Sequence, residues 1–171
     1  PEGQHRSGAI RLVDMRQHQK NEVADLGASM IADAKEGLCG GGAGLHLGRA
    51  WLESGDTEGA RATFKAARRL IQQSRGKGEP LVSVADLSIA LVDVREGGRA
   101  STTAVDRALD NHASYPIVLF HAACVLEESG SRRRSAHLYR KAFERGQDFS
   151  LALVGFVRTS EGDSRAEPLA R

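Results

Sequence analysis

Residues 47–67 read LGRAWLESGDTEGARATFKAA, and the pattern within this stretch returns later in the chain. It combines small, large and aromatic side chains in a fixed order: Leu47-Gly48, Trp51, Gly55, Ala60, Phe64, Ala67. The same intervals, 75 residues further on, fall on a second set: Ala122-Ala123, Leu126, Gly130, Ser135, Tyr139, Ala142. Self-similarity of this kind is typical of repeat architectures, in which each unit buries its apolar face against the next.

A weaker copy lies between these two, 41 residues after the first and 34 before the last. Its residues are Ser88-Ile89, Val92, Glu96 with Gly97 beside it, Ser101, Val105, Ala108. The first spacing is seven residues longer than the second, and a polar linker with two glycines and a proline accounts for the difference: Arg75-Gly76-Lys77-Gly78-Glu79-Pro80. Glycine and proline mark such connections.

Each copy predicts a pair of helices. In the first copy, one apolar stripe has helical spacing of three and four residues: Leu45, Gly48, Trp51, Leu52. Gly55 is placed to end this helix, and Asp56 or Thr57 can cap the next one. Ala60, Phe64 and Ala67 then lie on the inner stripe of the second helix, where small residues allow close approach and the aromatic ring fills the gap.

These residues resemble the tetratricopeptide repeat (TPR) family over residues 41–146. The resemblance implies an all-α, right-handed α-solenoid of antiparallel helix pairs, with repeats at about 41–75, 82–113 and 116–146. The middle copy departs from the family pattern, with Ser101 in place of the preferred alanine and Val105 in place of the aromatic residue. Its 41-residue spacing also resembles the helical arrays of large bacterial signal-transducing activators.

The remaining segments complete one domain, predicted over residues 8–160. Residues 8–36 predict one long N-terminal helix or two shorter ones, and residues 149–160 predict a capping helix. Residues 1–7 are expected to be disordered and residues 161–171 to form a flexible tail. The chain begins at Pro1 without a hydrophobic signal segment. We expect a soluble fragment of a larger protein, and a cytoplasmic location is favoured over others.

Composition narrows the class of protein further. Aromatic residues make up 5% of the chain and prolines number four, which argues against a β-sandwich or barrel. A net charge of +2 argues mildly against nucleic acid as the partner. No apolar run approaches the roughly 20 residues that span a bilayer, so membrane insertion is not expected.

No pattern in the chain indicates catalysis, a metal or a cofactor. The glycine-rich residues 40–48 lack the lysine and the preceding strand of a phosphate-binding loop, and indicate a connector. Cys39 and Cys124 are too few for a zinc ribbon. We expect two free thiols, and a disulfide between the two cysteines is the alternative. The six histidines show no metal-binding spacing. We therefore expect a protein that is not an enzyme.

The resemblance also implies a binding site, because the first helix of each TPR pair lines a concave groove. Carried over to this chain, the groove positions are His46, Arg49, Glu53, Asp86, Ala90, Asp93, Ile117, Phe120, Cys124, Glu127. Arg49 and Cys124 stand where chaperone-binding members carry carboxylate-clamping residues, so that clamp is not expected. Acidic groove residues with an apolar end at Ile117 and Phe120 predict a partner with basic and apolar side chains.

The predicted function is a non-catalytic protein–protein interaction module, a scaffold or adaptor that binds a peptide or helix of a partner protein. The alternative is a sensor or oligomerisation segment of a larger bacterial-type signalling or transcriptional regulator, with self-association. The basic run Arg132-Arg133-Arg134 fits a solvated helix face or, alternatively, contact with an acidic partner.

Overall fold

The computed structural model describes residues 41–98, 102–146 and 150–160, which form seven α-helices and no strand. The helices are α1 (Gly41–Glu53), α2 (Thr57–Arg75), α3 (Pro80–Arg95), α4 (Thr102–His112), α5 (Pro116–Glu128), α6 (Arg132–Arg145) and α7 (Ser150–Ser160). The prediction of an all-α chain is confirmed for these residues. The connector predicted for residues 40–48 is wrong from Gly41 onward, because α1 begins there, and Gly41 and Gly44 pack closely on Ala67 and Ile71 of α2. The predictions for residues 1–7, residues 8–36, Cys39, Ser101 and the tail 161–171 lie outside the described residues.

Three helices, α1, α3 and α5, end in the same hydrogen-bonded cap. Gly55, Gly97 and Gly130 adopt left-handed φ values of 86°, 82° and 81°. The N–H of the residue after each glycine reaches back to a carbonyl in the last turn, at 3.0 Å to Trp51, 2.9 Å to Asp93 and 2.8 Å to Leu126. This is the Schellman motif, which requires a residue that tolerates positive φ and therefore favours glycine.

These caps define the register of the middle copy differently from the fixed 41-residue spacing. Gly97, not Glu96, is the counterpart of Gly55, so the first helices are related by 42 and then 33 residues. The buried Val105 still follows Phe64 by 41 residues, which makes the middle turn one residue shorter. A one-residue change rotates a position by about 100° around a helix. In α3 the sequence-based register therefore points to the wrong face.

The core lies between successive helices and contains Phe64 and Tyr139, which occupy the same position in the first and last copies of the pattern. Phe64 and Tyr139 are almost fully buried, at 1% and 0% exposure. Phe64 packs directly on Gly48, where a Cβ would lie 2.4 Å from the ring. Burying a side chain of this size contributes about 1.5–3 kcal/mol.

Every helix packs on its neighbours along the chain, from α1 on α2 through to α6 on α7, and α3 also packs extensively on α5. The odd-numbered helices also contact one another in the order α1, α3, α5, α7. Adjacent odd-numbered helices thus form one continuous layer. None of the described helices combines the length and apolar character needed to span a membrane.

Candidate partner-binding pocket

A pocket of about 420 Å³ opens on the layer formed by α1, α3, α5 and α7, and each of these helices contributes to it. It is lined by Arg49, Glu53, Leu91, Arg95, Cys124, Glu127, Glu128 and Arg158. Below, these eight residues are called the shared pocket.

The shared pocket brings together side chains from equivalent positions of the odd-numbered helices. Arg49, Leu91 and Cys124 each stand six residues before the glycine of a helix cap. A second row stands two residues before those glycines: Glu53, Arg95, Glu128. Because identical caps fix the same register, side chains at one distance from the cap emerge on the same face. Both rows of pocket residues can be found in the sequence alone by counting back from the cap glycines, Gly55, Gly97 and Gly130.

The charges that line the shared pocket are balanced. Arg49 Nη2 lies 2.8 Å from Glu53 Oε1 within α1. Arg95 joins α3 to both neighbouring helices, because its Nη2 lies 2.9 Å from Glu128 Oε1 and 3.6 Å from Glu53 Oε1. Three arginines thus face three glutamates. The shared pocket does not carry the strong negative potential that the sequence predicted.

The third ion pair is linked to the core through a tyrosine. Arg158 binds both carboxylate oxygens of Glu127, at 2.5 and 2.7 Å. The Tyr139 hydroxyl donates to Glu127 Oε2 at 2.7 Å. Burial acts to raise the pKa of Glu127, but the hydrogen bonds from Arg158 and Tyr139 outweigh it and lower that pKa overall. Glu127 therefore remains ionised and joins α5, α6 and α7.

Cys124 forms part of the apolar floor, beside Leu91. Its thiol is free, and Sγ lies 3.2 Å from the Tyr139 hydroxyl. Burial raises the pKa of Cys124, so the thiol stays protonated at neutral pH and is a poor nucleophile. Cysteine in this state packs as a small apolar residue.

His46 and His121 lie one turn before the first row of pocket residues and are separated by 75 residues, as the repeat requires. His121 is half-buried, and its ring meets that of Phe120 edge-on at 5.5 Å. Burial, and to a lesser extent the charges of Arg49 and His46, lowers the pKa of His121 to about 4. The imidazole is therefore neutral at pH 7.

The structure brings four of the ten predicted groove residues together in the shared pocket: Arg49, Glu53, Cys124 and Glu127. It adds four that the sequence analysis missed: Leu91, Arg95, Glu128 and Arg158. Two of the missed residues, Leu91 and Arg95, belong to α3, where the fixed spacing gave the wrong register.

The other predicted groove residues lie elsewhere. Ala90 is buried in the core at 3% exposure, and Ile117 and Phe120 are half-buried against it. Asp93 pairs with Arg61. Asp86 accepts a 2.5 Å hydrogen bond from Arg68 Nε, so α2 neutralises both aspartates of α3. These two aspartates do not join Glu53 and Glu127 in one acidic surface.

Within residues 41–98, 102–146 and 150–160, no group of three or more metal-ligating side chains is placed to hold an ion. A comparison of the sequence with models of known protein families found no match, and a comparison with curated protein sequences found no significant one. The geometry of the shared pocket is therefore the observation from which a function can be inferred.

Proposed function

We propose that this chain is a non-catalytic protein–protein interaction module with a TPR-like architecture. In this proposal the helices form antiparallel pairs, α1 with α2, α3 with α4 and α5 with α6, stacked as a right-handed solenoid. The order of contacts supports it, because odd-numbered helices touch in succession and each even-numbered helix packs on the helix that follows it. The concave face is then the layer of odd-numbered helices.

One observation carries the proposal: the shared pocket gathers the same position from successive helices. Arg49, Leu91 and Cys124 keep one distance from their caps, and Arg158 follows Cys124 by 34 residues. In a stack of repeats, equivalent positions form one extended surface, which suits an extended peptide or a helix of a partner protein.

The pocket chemistry indicates what such a partner carries. An apolar side chain can contact Cys124, which lies beside the buried Leu91, and the surrounding ion pairs offer both guanidinium and carboxylate groups. A matching peptide combines one apolar anchor with flanking charges of both signs. Because the pocket charges nearly cancel, its affinity should depend only weakly on salt concentration.

The proposal can be tested by exchanging a charge pair. Peptides that bind the wild-type protein are selected from a displayed library, and their affinities are measured by isothermal titration calorimetry. The variant R49E/E53R keeps an i,i+4 ion pair in α1, with the acidic residue on the N-terminal side, which is the more stable order in a helix. It exchanges the positions of the positive and the negative charge in the pocket. We expect binding about tenfold weaker or more, equivalent to about 1.4 kcal/mol.

The matched control is R140E/E144R, which exchanges a similar i,i+4 pair on α6, outside the pocket. It should bind the selected peptides as the wild-type protein does. The proposal is wrong if the library yields no binder with an apolar anchor, or if both exchanges weaken binding equally.

A second candidate function, oligomerisation within a larger regulator, is favoured by a specific feature of α7. Three apolar side chains on this helix are exposed at spacings of three residues: Leu151 at 61%, Val154 at 58% and Val157 at 49%. An apolar stripe of this kind favours association with another surface.

A further inference from the structure

A second cavity, of about 520 Å³, lies on the other side of α3, between α2 and α4. Its walls are Arg68, Gln72, Lys77, Gly78, Val82, Ser83, Asp86, Ala104, Arg107, Ala108, Asn111 and His112. Below, these twelve residues are called the basic cavity. Among the described residues, α2 and α4 do not touch each other, so the N-terminal half of α3 forms the floor of an open gap.

The basic cavity owes its shape to the residues that interrupt the repeat. Helix α2 has 19 residues and α6, its counterpart in the last copy, has 14. Beyond its end, a loop with Gly76 at a φ of 94° carries Lys77 and Gly78 into the cavity wall. The insertion between the first two copies therefore supplies a wall that a regular repeat does not have.

Positive charge dominates the basic cavity. Its one carboxylate, Asp86, is already bound by Arg68, through Nε at 2.5 Å and Nη2 at 3.4 Å. The side chains of Lys77 and Arg107 form no hydrogen bond or ion pair within the described parts of the chain. Both cationic groups thus line the cavity, and no carboxylate of the described residues pairs with either one. Each increases the attraction for an anion in a concave site.

The rest of the wall is suited to a small organic molecule. The Ser83 hydroxyl and the Asn111 amide can donate hydrogen bonds, and Ala104 adds apolar surface, while Val82 and Ala108 are almost fully buried. The volume falls in the range of about 300–1,000 Å³ that is usual for small-ligand sites. A flat protein-docking surface would not enclose its ligand between two helices and a loop.

We propose that the basic cavity binds a small organic anion whose phosphate or carboxylate group lies between Lys77 and Arg107. The guanidinium of Arg107 can form two parallel hydrogen bonds to either kind of group, and Lys77 adds a point charge. The carbon skeleton of the ligand then packs on Ala104. This site is independent of the peptide-binding function proposed for the shared pocket.

The test uses two probes, inorganic pyrophosphate and citrate, titrated calorimetrically into the full chain at an ionic strength held constant with sodium chloride. We expect saturable one-to-one binding of at least one probe. The variant K77E/R107E should weaken it about tenfold or more, because each charge-assisted contact typically contributes more than 1.4 kcal/mol. The control K65E/R133E makes the same change in net charge at exposed residues outside the cavity, and should bind normally.

A second measurement locates the site directly. Acetylation of lysines by an activated ester is followed by mass spectrometry with and without the bound probe, and Lys77 should be protected while Lys65 is not. Binding of pyrophosphate alone identifies a phosphate site, and binding of citrate alone identifies a carboxylate site. R49E/E53R should leave probe binding unchanged, so failure of the peptide-binding proposal does not affect this one.

Three results would overturn the inference. One is a calorimetric titration in which the heat of binding does not saturate with either pyrophosphate or citrate. The second is an equal loss of binding in K77E/R107E and K65E/R133E, which would indicate general charge attraction. The third is binding of polyglutamate with no binding of either small anion, which would make this face a docking surface for an acidic protein.

Discussion

At the scale of single residues, each buried aromatic ring of the repeat pattern depends on a glycine that faces it. A Cβ added at Gly48 would lie 2.4 and 2.5 Å from two atoms of the Phe64 ring, and one added at Gly155 would lie 2.6 Å from the Tyr139 ring. Contacts of that length force either the ring or the helix to move. The packing of Phe64 and of Tyr139 therefore depends on the absence of a side chain at Gly48 and at Gly155.

We predict that Gly48→Ala destabilises the protein by about 1–3 kcal/mol, the usual cost of overpacking a core. Gly42→Ala, in the same helix, is the control, because a Cβ there meets no atom of the described residues within 4 Å. Alanine has the higher helix propensity, so this control should be neutral or stabilising by up to about 1 kcal/mol. Unfolding in urea measures both changes. Equal effects of the two substitutions would show that α1 does not pack on Phe64 as described.

His121 makes the stability of the protein depend on pH in a defined direction. Its pKa is about 4 in the folded state, compared with 6.5 for an unperturbed histidine. Between these values the unfolded chain binds a proton that the folded chain does not. Stability is therefore fully present above about pH 6.5 and falls as the pH is lowered towards 4.

We predict that lowering the pH from 7 to 5 costs the wild-type protein about 1–2 kcal/mol more than it costs His121→Asn. His137→Asn removes an exposed histidine and should behave as the wild type does. Free energies of unfolding at the two pH values measure the difference. A pH dependence as large in His121→Asn as in the wild type, or an NMR titration of His121 near pH 6.5, would contradict the assignment.

At the scale of helices, the first and last copies could be predicted from the sequence because their spaced residues keep every offset. The middle copy was placed one residue off, because the fixed offset puts Glu96 at the cap, whereas counting from Gly97 recovers the register of α3. The positive φ of Gly97 identifies it as the cap residue. Cross-helix ion pairs such as Arg61 with Asp93 were also beyond prediction, because they join residues 32 positions apart on different helices.

The shifted register predicts different costs for two nearby glycine substitutions. Gly97→Ala places a side chain at a φ of 82° and should destabilise the protein by about 1–2 kcal/mol. Gly78→Ala, in open space and without a positive φ, should change stability by less than about 0.5 kcal/mol. Urea unfolding of the two variants distinguishes them. If Gly97→Ala is tolerated as well as Gly78→Ala, the α3 cap and the 42-residue register are wrong.

At the scale of the whole molecule, the regular and irregular parts of the repeat have different consequences. Regular spacing from the caps brings α1, α3 and α5 into one layer and produces the shared pocket. The longer α2 and its loop depart from that spacing and produce the basic cavity on the other side of α3. One helix, α3, thus separates two sites that differ in charge and in the size of ligand they suit.

The apolar stripe of α7 leads to a prediction about assembly. Helices α1, α3 and α5 are each covered by the next helix along the chain, whereas Leu151, Val154 and Val157 of α7 remain exposed. Covering these side chains against a second copy would remove apolar surface from water, at about 25 cal/mol for each Å². We therefore expect a reversible self-association whose extent rises with protein concentration.

Sedimentation equilibrium measures this association as a weight-average mass that rises above the monomer mass. L151K/V154K should restore a monomer, because two charges on the stripe would have to be desolvated in any interface. A62K/A66K adds the same two charges at exposed positions of α2 and should associate as the wild type does. A wild-type chain that stays monomeric at every concentration would exclude α7 as a contact surface. If L151K/V154K remains as associated as the wild type, self-association uses a surface other than the α7 stripe, and this prediction is wrong.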